Sequence, residues 1–402
     1  MSIPELTPGA LNGLRVVEMG QLIAGPFAGK TLGDFGADVI KIEAPGAGDP
    51  LRNWRLIQDG TSVWWQVQSR NKRSIALDLR NPEGQRIARE LIAKADVLIE
   101  NFRPGTMENW NMSYEQLSKN NPGLVMLRIS GYGQTGPYRD LPGFGAIGEA
   151  MGGLRHLTGD PGRVPVRCGI SIGDTLAALH GTIGVLTALY HRKVNGGQGQ
   201  VIDVALTEAV FNVMESLVPE YSAFGAVREP AGSALPGIAP SNAYRCSDGV
   251  VLIAGNGDSI FKRLMQSIGR DDLGNDPALA DNAGRVARVE ELDRAIGAWT
   301  AARSVKEVLS QLGEARVPAG RVYTAKDIVE DPHYRARDMI LKQRTRNGRE
   351  LDVPGVVPKL LGTPGSIRSS APGLGDDTDA VLAELDYTAQ DIAVLREKKV
   401  VA

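Results

Sequence analysis

Short apolar runs alternate with amphipathic stretches along the first 135 residues. Leu14–Met19, Ala37–Ile42, Ser74–Asp78, Asp96–Glu100 and Leu124–Ile129 are brief, nearly continuous apolar segments, the pattern of strands buried on both faces. Ile23–Pro26 reads as a turn and Phe27–Phe35 as a helix ending near Gly36. Asn81-Pro82-Glu83-Gly84 opens a second helix through Lys94, with Asn81 as the cap and Pro82 in the first helical position. This alternation predicts an α/β, Rossmann-like domain built on a parallel, doubly wound sheet. Ligands of such sheets bind beyond the carboxyl ends of the strands. The loops Gln21–Pro26, Asn101–Gly105 and Gly131–Pro137 fall at such ends.

Farther on, Thr175–Arg192 reads as a long apolar helix, Val201–Ala205 as a strand and Glu208–Val218 as a helix. Ala226–Ala239 is rich in Gly, Pro and Ala, as a linker is. Tyr244–Val322 reads as a smaller α/β unit, with a strand at Val250–Ala254 and helices at Ile260–Ile268, Val289–Thr300 and Val305–Leu312. Short strands and prolines follow, then a last helix at Ala389–Lys398. The expected division is a large domain begun by residues 1–225, a small domain at 226–325, and a segment, 326–402, that returns to the large one.

Composition narrows the function more than the fold. At 402 residues the chain is long enough for two domains, and 42% hydrophobic with 23% charged residues is ordinary for a globular protein. A net charge of -2 leaves no electrostatic footprint for nucleic acid or an anionic membrane. Cys168 and Cys246 form no C-x-x-C pair, and His156, His180, His191 and His333 are scattered, so neither a disulfide framework nor a metal site is expected. The first residues carry no basic or apolar leader pattern, and no run of about 18 uninterrupted apolar residues occurs. The expectation is a cytoplasmic protein.

Asp174 ends the tight stretch Cys168-Gly-Ile-Ser-Ile-Gly-Asp174, directly before the long apolar helix. Read locally it is either a helix N-cap or a nucleophile. Gln21–Pro26 is a strand-to-helix junction whose amides can bind an anion, or a turn with no ligand; it is not a dinucleotide fingerprint. In Glu100-Asn-Phe-Arg-Pro-Gly105, Phe102 and Arg103 can stack a purine and meet a phosphate, or Phe102 can pack inward. Gly131–Pro137 can close over a substrate with Tyr132, or be an ordinary loop. Gly255–Ser259 can contact a substrate acid, or only cap a helix.

Together these segments resemble the class III CoA-transferases, the CaiB/BaiF or formyl-CoA transferase family. The resemblance runs from about Leu11 to the C-terminus. It rests on Leu11–Glu18, Gly25-Pro-Phe-Ala28, Leu32–Glu43, Gly48-Asp-Pro50, Asn71–Arg80, Glu100–Gly105, Gly131-Tyr-Gly133, Gly173-Asp174 and Gly199-Gln200. It implies two chains threaded through each other as interlocked rings, an obligate homodimer whose separated monomer would expose apolar surface.

The resemblance also implies that Asp174 is the nucleophile of a ping-pong transfer. CoA would pass from a donor, succinyl-CoA by preference, to a small dicarboxylic acid through an aspartyl-CoA thioester. Coenzyme A would be a substrate, with no prosthetic group and no metal. The matching CoA contacts are Ala24 in the first loop, Leu77, Asp78, Leu79 and Arg80, then Asn101, Phe102 and Arg103 around the nucleotide, and Gly131 and Tyr132 near the thioester.

There are departures. Ala44 and Asn109 stand where formyl-CoA transferase has arginines, and Ser130 where it has a lysine, so Arg52, Arg73 and Arg103 become the phosphate candidates. Arg70, Arg73 or Arg167 is the candidate for a distal carboxylate. The related α-methylacyl-CoA racemases carry Gly-His-Asp where this chain has Gly143-Phe144-Gly145, which disfavours racemisation. A non-catalytic CoA-binding protein is the third alternative.

Overall fold

The computed structural model describes residues 8–402. Its main sheet has six parallel strands: β1 (Arg15–Glu18), β2 (Asp38–Glu43), β3 (Lys72–Ala76), β4 (Val97–Glu100), β5 (Val125–Ser130) and β6 (Val201–Ala205). Their spatial order is β3-β2-β1-β4-β5-β6, so the winding reverses between β1 and β4. That reversal is the topological switch point of the doubly wound fold.

Successive strand residues point to opposite faces, and each face has its own core. Val16, Val39, Val97 and Val125 pack with helices α1 (Ala24–Asp34) and α4 (Ile172–Val194). Val17, Ile40, Leu98 and Met126 pack with α2 (Pro82–Ala93) and with the C-terminal helices α9 (Thr378–Ala383) and α10 (Ala389–Glu397). The C-terminal segment is tied back by buried polar bonds. Arg70 holds Asp34 with two bonds and the Pro354 carbonyl with a third, and Asn71 accepts the Arg368 and Ser369 amides.

Among the described residues, one compact unit comprises 8–155, 168–219 and 332–402; a second comprises 156–167 and 220–331. The second is built on an antiparallel sheet of β7 (Ser241–Arg245), β8 (Val250–Ala254) and β9 (Ala319–Arg321), with β8 in the middle. Helices α6 (Asp258–Ser267), α7 (Val289–Ala301) and α8 (Val305–Glu314) close its core over Val251, Ile253 and Phe261. In the first unit, β10 (Ile340–Arg344) and β11 (Glu350–Pro354) form a separate hairpin.

Several boundaries differ from the sequence reading for identifiable reasons. Helix α1 starts at Ala24 rather than Phe27, because Pro26 sits in the first turn, where its missing N–H costs nothing. Helix α4 starts at Ile172, so Asp174 stands inside the first turn and is not the cap; Ser171 holds that position. The single helix expected at Glu208–Val218 is two, α5 (Leu206–Phe211) and Leu217–Phe224, with Glu215 between them at φ 52°. Strand β3 begins two residues early because Lys72 and Arg73, polar by type, belong to the sheet.

Lys72 belongs to a buried ionic cluster beneath α1. Lys41 reaches Glu18 and Asp49 at 2.9 Å, and Lys72 reaches Glu18 at 2.7 Å. Glu18 and Lys41 face each other in register across β1 and β2. Helix α1 passes so close above that a Cβ on Gly29 would lie 1.9 Å from the Glu18 carboxylate. Gly29→Ala is therefore expected to lower stability by about 1–3 kcal/mol, the range for overpacking a filled core. The urea midpoint measures it; an unshifted midpoint would contradict this packing.

Candidate active site

A cavity of about 190 Å³ opens at the carboxyl ends of β1, β4 and β5, at the switch point. Gln21–Ala24 form one wall, Asn101–Pro104 another, and Ile129–Gly131 with Arg139, Leu141, Gly143 and Phe144 a third; Asp174 and Leu206 complete it. At about 30 Å³ per water it holds the equivalent of some six waters.

The first wall is unusually well fixed. Lys41 Nζ donates to the Gly20 carbonyl at 2.7 Å, and Lys72 Nζ to the Pro26 carbonyl at 2.8 Å. Asp49 accepts the Leu22 N–H with both oxygens at 3.1 and 3.2 Å, while Gln68 donates to the Ile23 carbonyl. Asn101 bonds both backbone groups of Gln21, accepting its N–H at 2.8 Å and donating to its carbonyl at 2.9 Å. Leu22 is held at φ 64°, a left-handed conformation that a leucine adopts only when its surroundings impose it. The amides of Ala24 and Gly25, in the first turn of α1, have no acceptor within the helix.

The charges of this cluster are set by burial against pairing. Burial pulls Lys41 down, but Asp49, Glu18 and Glu43 outweigh it and the ammonium is held above its usual range. Lys72 is brought down to about 8 by burial, with Glu18 opposing. Burial pushes Glu43 up, and Arg52 and Lys41 more than reverse this.

Asp174 stands in the first turn of α4, half-buried. Helix α3 (Gly145–Met151) begins against it. A Cβ at position 145 would lie 2.0 Å from Asp174 Oδ2, and one on Gly173 would lie 2.9 Å from the Gly145 carbonyl. Two glycines thus let the two helix starts meet at the carboxylate. Position 144, where a histidine would serve a two-base reaction, is Phe144, exposed on the rim. Among the described residues lining the cavity, the ionisable groups are Asp174, Arg103 and Arg139.

The expected site residues divide. Asp174, Ala24, Asn101, Phe102, Arg103 and Gly131 share the cavity. The Asn101 side chain is committed to Gln21, so it joins two walls. The Phe102 ring packs inward, edge-on to Trp110 at 5.1 Å, while still touching the cavity. Tyr132 lies outside it, edge-on to Tyr138 at 5.9 Å. Leu77–Arg80 lie beyond the end of edge strand β3, where Leu77 is core and the Asp78 amide bonds the Val400 carbonyl. Arg80 points into solvent, paired with Asp78.

Three arginine assignments are corrected. Arg52 is bidentate on Glu43, Arg70 on Asp34, and Arg73 bridges Asp38 and Glu384, so none is available to an anionic ligand. Arg167 lies in the other compact unit. In that unit Gly257 precedes α6, and Asp258 binds Arg285 at 2.7 Å. The sequence reading missed Arg139, whose loop shows no charge pattern, and the cluster under the first wall. Glu18 and Lys41 were nevertheless visible as charges inside apolar strands.

Comparison with known proteins shows the family. The model of CoA-transferase family III matches residues 11–378. The succinyl-CoA–D-citramalate CoA-transferase of Chloroflexus aurantiacus is 47% identical over 98% of both chains. The succinate–glutarate CoA-transferase of Agrobacterium fabrum is 34% identical over 94% of this chain and 96% of that one. Among solved structures, a CaiB/BaiF family protein from Brucella suis superposes with a TM-score of 0.84 at 35% identity, covering 94% of this chain and all of that one. The chain belongs to CoA-transferase family III.

Beneath the second wall, Glu100 ends β4 fully buried, accepting from Arg128 at 2.7 Å and from the Phe102 amide at 2.8 Å. Burial pushes its carboxyl up to about 7, with Arg128 opposing. A carboxyl raised above its unfolded value stabilises the fold fully below that value and loses the contribution as pH rises through the folded one. The wild type is thus expected to lose on the order of 3 kcal/mol between about pH 4.5 and 8 through this group. Glu100→Gln should flatten that slope in urea titrations across the range; parallel curves for both proteins would count against it.

Proposed function

We propose that the protein transfers CoA from succinyl-CoA to a small dicarboxylic acid, with Asp174 as the covalent carrier. The observation that carries this reading is a single carboxylate in a small cavity with two arginines and, among the described residues, no second acid–base group of this chain. Racemisation needs a proton donor and acceptor on opposite faces of a carbon, whereas acyl exchange between carboxylates needs one nucleophile. The named activities of the Chloroflexus and Agrobacterium relatives support the choice of acids.

The steps balance without water, metal or redox partner. A carboxylate oxygen of Asp174 attacks the acyl carbon of the donor; its C–S bond breaks and CoA leaves as thiolate. The thiolate attacks the Asp174 carbonyl of the resulting anhydride, releasing the donor acid and leaving an aspartyl-CoA thioester. The acceptor carboxylate attacks that thioester, and the thiolate returns to the acceptor's acyl carbon, restoring Asp174. Each attack places negative charge on a carbonyl oxygen. The amide of Ala24, in the first turn of α1 on the cavity wall, is the donor suited to it.

The protein works as an interlocked homodimer on this reading. Helix α4 buries Ala177, Ala178, Val185 and Ala188 against the sheet but leaves Leu179, Ile183, Leu186, Tyr190 and Val194 exposed, with Ile183 62% and Tyr190 69% accessible. An apolar stripe of that length on the core helix calls for a cover, and a second copy supplies it.

Two outcomes are expected. Initial rates against both substrates should give parallel double-reciprocal lines, and Asp174→Ala should lower kcat by at least about 10³-fold; intersecting lines with a nearly active variant would reject the covalent route. In sedimentation, the wild type should run at twice the 43.0 kDa chain mass. Ile183→Glu with Leu186→Glu should break or aggregate that species, and a monomeric wild type would reject the dimer.

A further inference from the structure

We infer that Arg139 is the specificity-determining residue that binds the distal carboxylate of the acid, and that Arg103 serves the phosphates of CoA instead; this rests on the proposed transfer reaction. Both arginines line the cavity that Asp174 lines, but they differ in exposure. Arg103 is exposed, on the short loop after β4, without a carboxylate partner among the described residues. Arg139 is half-buried, on the loop that runs on through Gly143 to Gly145, the residue packed against the Asp174 carboxylate. In the proposed reaction the acid reacts at Asp174, so the more enclosed of the two cations suits the acid and the exposed one suits the nucleotide.

Arg139 is also preorganised and only loosely committed. Its loop is pinned at one end by the Gly133 amide on Ser130 at 3.0 Å and the Gln134 amide on Asp203 at 2.9 Å. The Tyr132–Tyr138 pair and the Leu141 amide on the Tyr138 carbonyl hold its middle. Gly131 and Gly143 touch backbone to backbone, which closes its base. The carboxylate paired with Arg139, Asp140 at 3.3 Å, is 80% exposed, and a pair of that kind holds a guanidinium weakly. A planar, always-charged group on a wall of the cavity that Asp174 also lines suits bidentate capture of a carboxylate at the far end of a four- or five-carbon acid.

The test compares glutarate with valerate, acids of equal length that differ by the distal carboxylate. In a ping-pong reaction kcat/KM for the acceptor reports the second half-reaction alone. Arg139→Gln is expected to lower the glutarate-to-valerate ratio by about 10- to 100-fold, the span for losing a charged hydrogen bond. Arg139→Lys should restore part of it, and calorimetric binding of free CoA should be unchanged. Arg103→Gln should weaken CoA and leave the ratio alone. An unchanged ratio in Arg139→Gln, or a loss of CoA affinity equal to that in Arg103→Gln, would overturn the inference. The same two acids titrated directly into wild type and Arg139→Gln decide it independently of turnover. A wild type that binds glutarate through Arg139 yet transfers CoA to no dicarboxylate would reject the proposed function and leave this assignment standing.

Discussion

Three carboxylates and three cations, Glu18, Glu43 and Asp49 with Lys41, Lys72 and Arg52, lie under the turn from β1 to α1, and the cavity takes its shape from them. Buried ions are costly unless each is paired and hydrogen-bonded. Here the pairing is dense, and the spare donors are directed to the backbone: Lys41 and Lys72 each hold a carbonyl of the loop, and Asp49 holds the Leu22 amide. An apolar core of the same volume could be at least as stable. It could not fix carbonyls and amides in direction, which is what a catalytic turn requires. The left-handed Leu22, a strain of order 1–3 kcal/mol, is sustained by this grip.

The rest of the site follows from glycines that remove bulk rather than from side chains that add it. Gly29 lets α1 descend onto Glu18, and Gly145 and Gly173 let two helix starts converge on Asp174. Phe144 stands on the rim, and among the described residues lining the cavity the ionisable groups are Asp174, Arg103 and Arg139. The proposed chemistry is nucleophilic exchange, with Arg103 and Arg139 sorting the anionic ends of the two substrates.

Much of this was legible in the chain. Apolar runs separated by capped helices, such as Asn81-Pro82, identify the parallel sheet, and the loops at Gln21, Asn101 and Gly131 do converge at the switch point. The resemblance pointed to Asp174, and that carboxylate lines the cavity. What the sequence obscured was which polar residues were already occupied. Arg52, Arg70 and Arg73 look like free cations in one dimension, and each is consumed by a carboxylate from another segment, Glu384 for Arg73 among them. Arg139, by contrast, sits in a nondescript Gly/Pro loop, and its value appears only when the loop folds back to Asp174. Two helix starts were misplaced by three residues because Pro26 and Asp174 favour helix boundaries but sit inside first turns here.

In the proposed reaction CoA rides on Asp174. Incubation with succinyl-CoA, followed by hydroxylamine or borohydride trapping and peptide mass spectrometry, tests this most directly. A modified peptide containing Asp174 is expected in the wild type, and no such peptide in Asp174→Ala. An unmodified Asp174 in an enzyme that is turning over a succinyl-CoA-dependent transfer would contradict the covalent route.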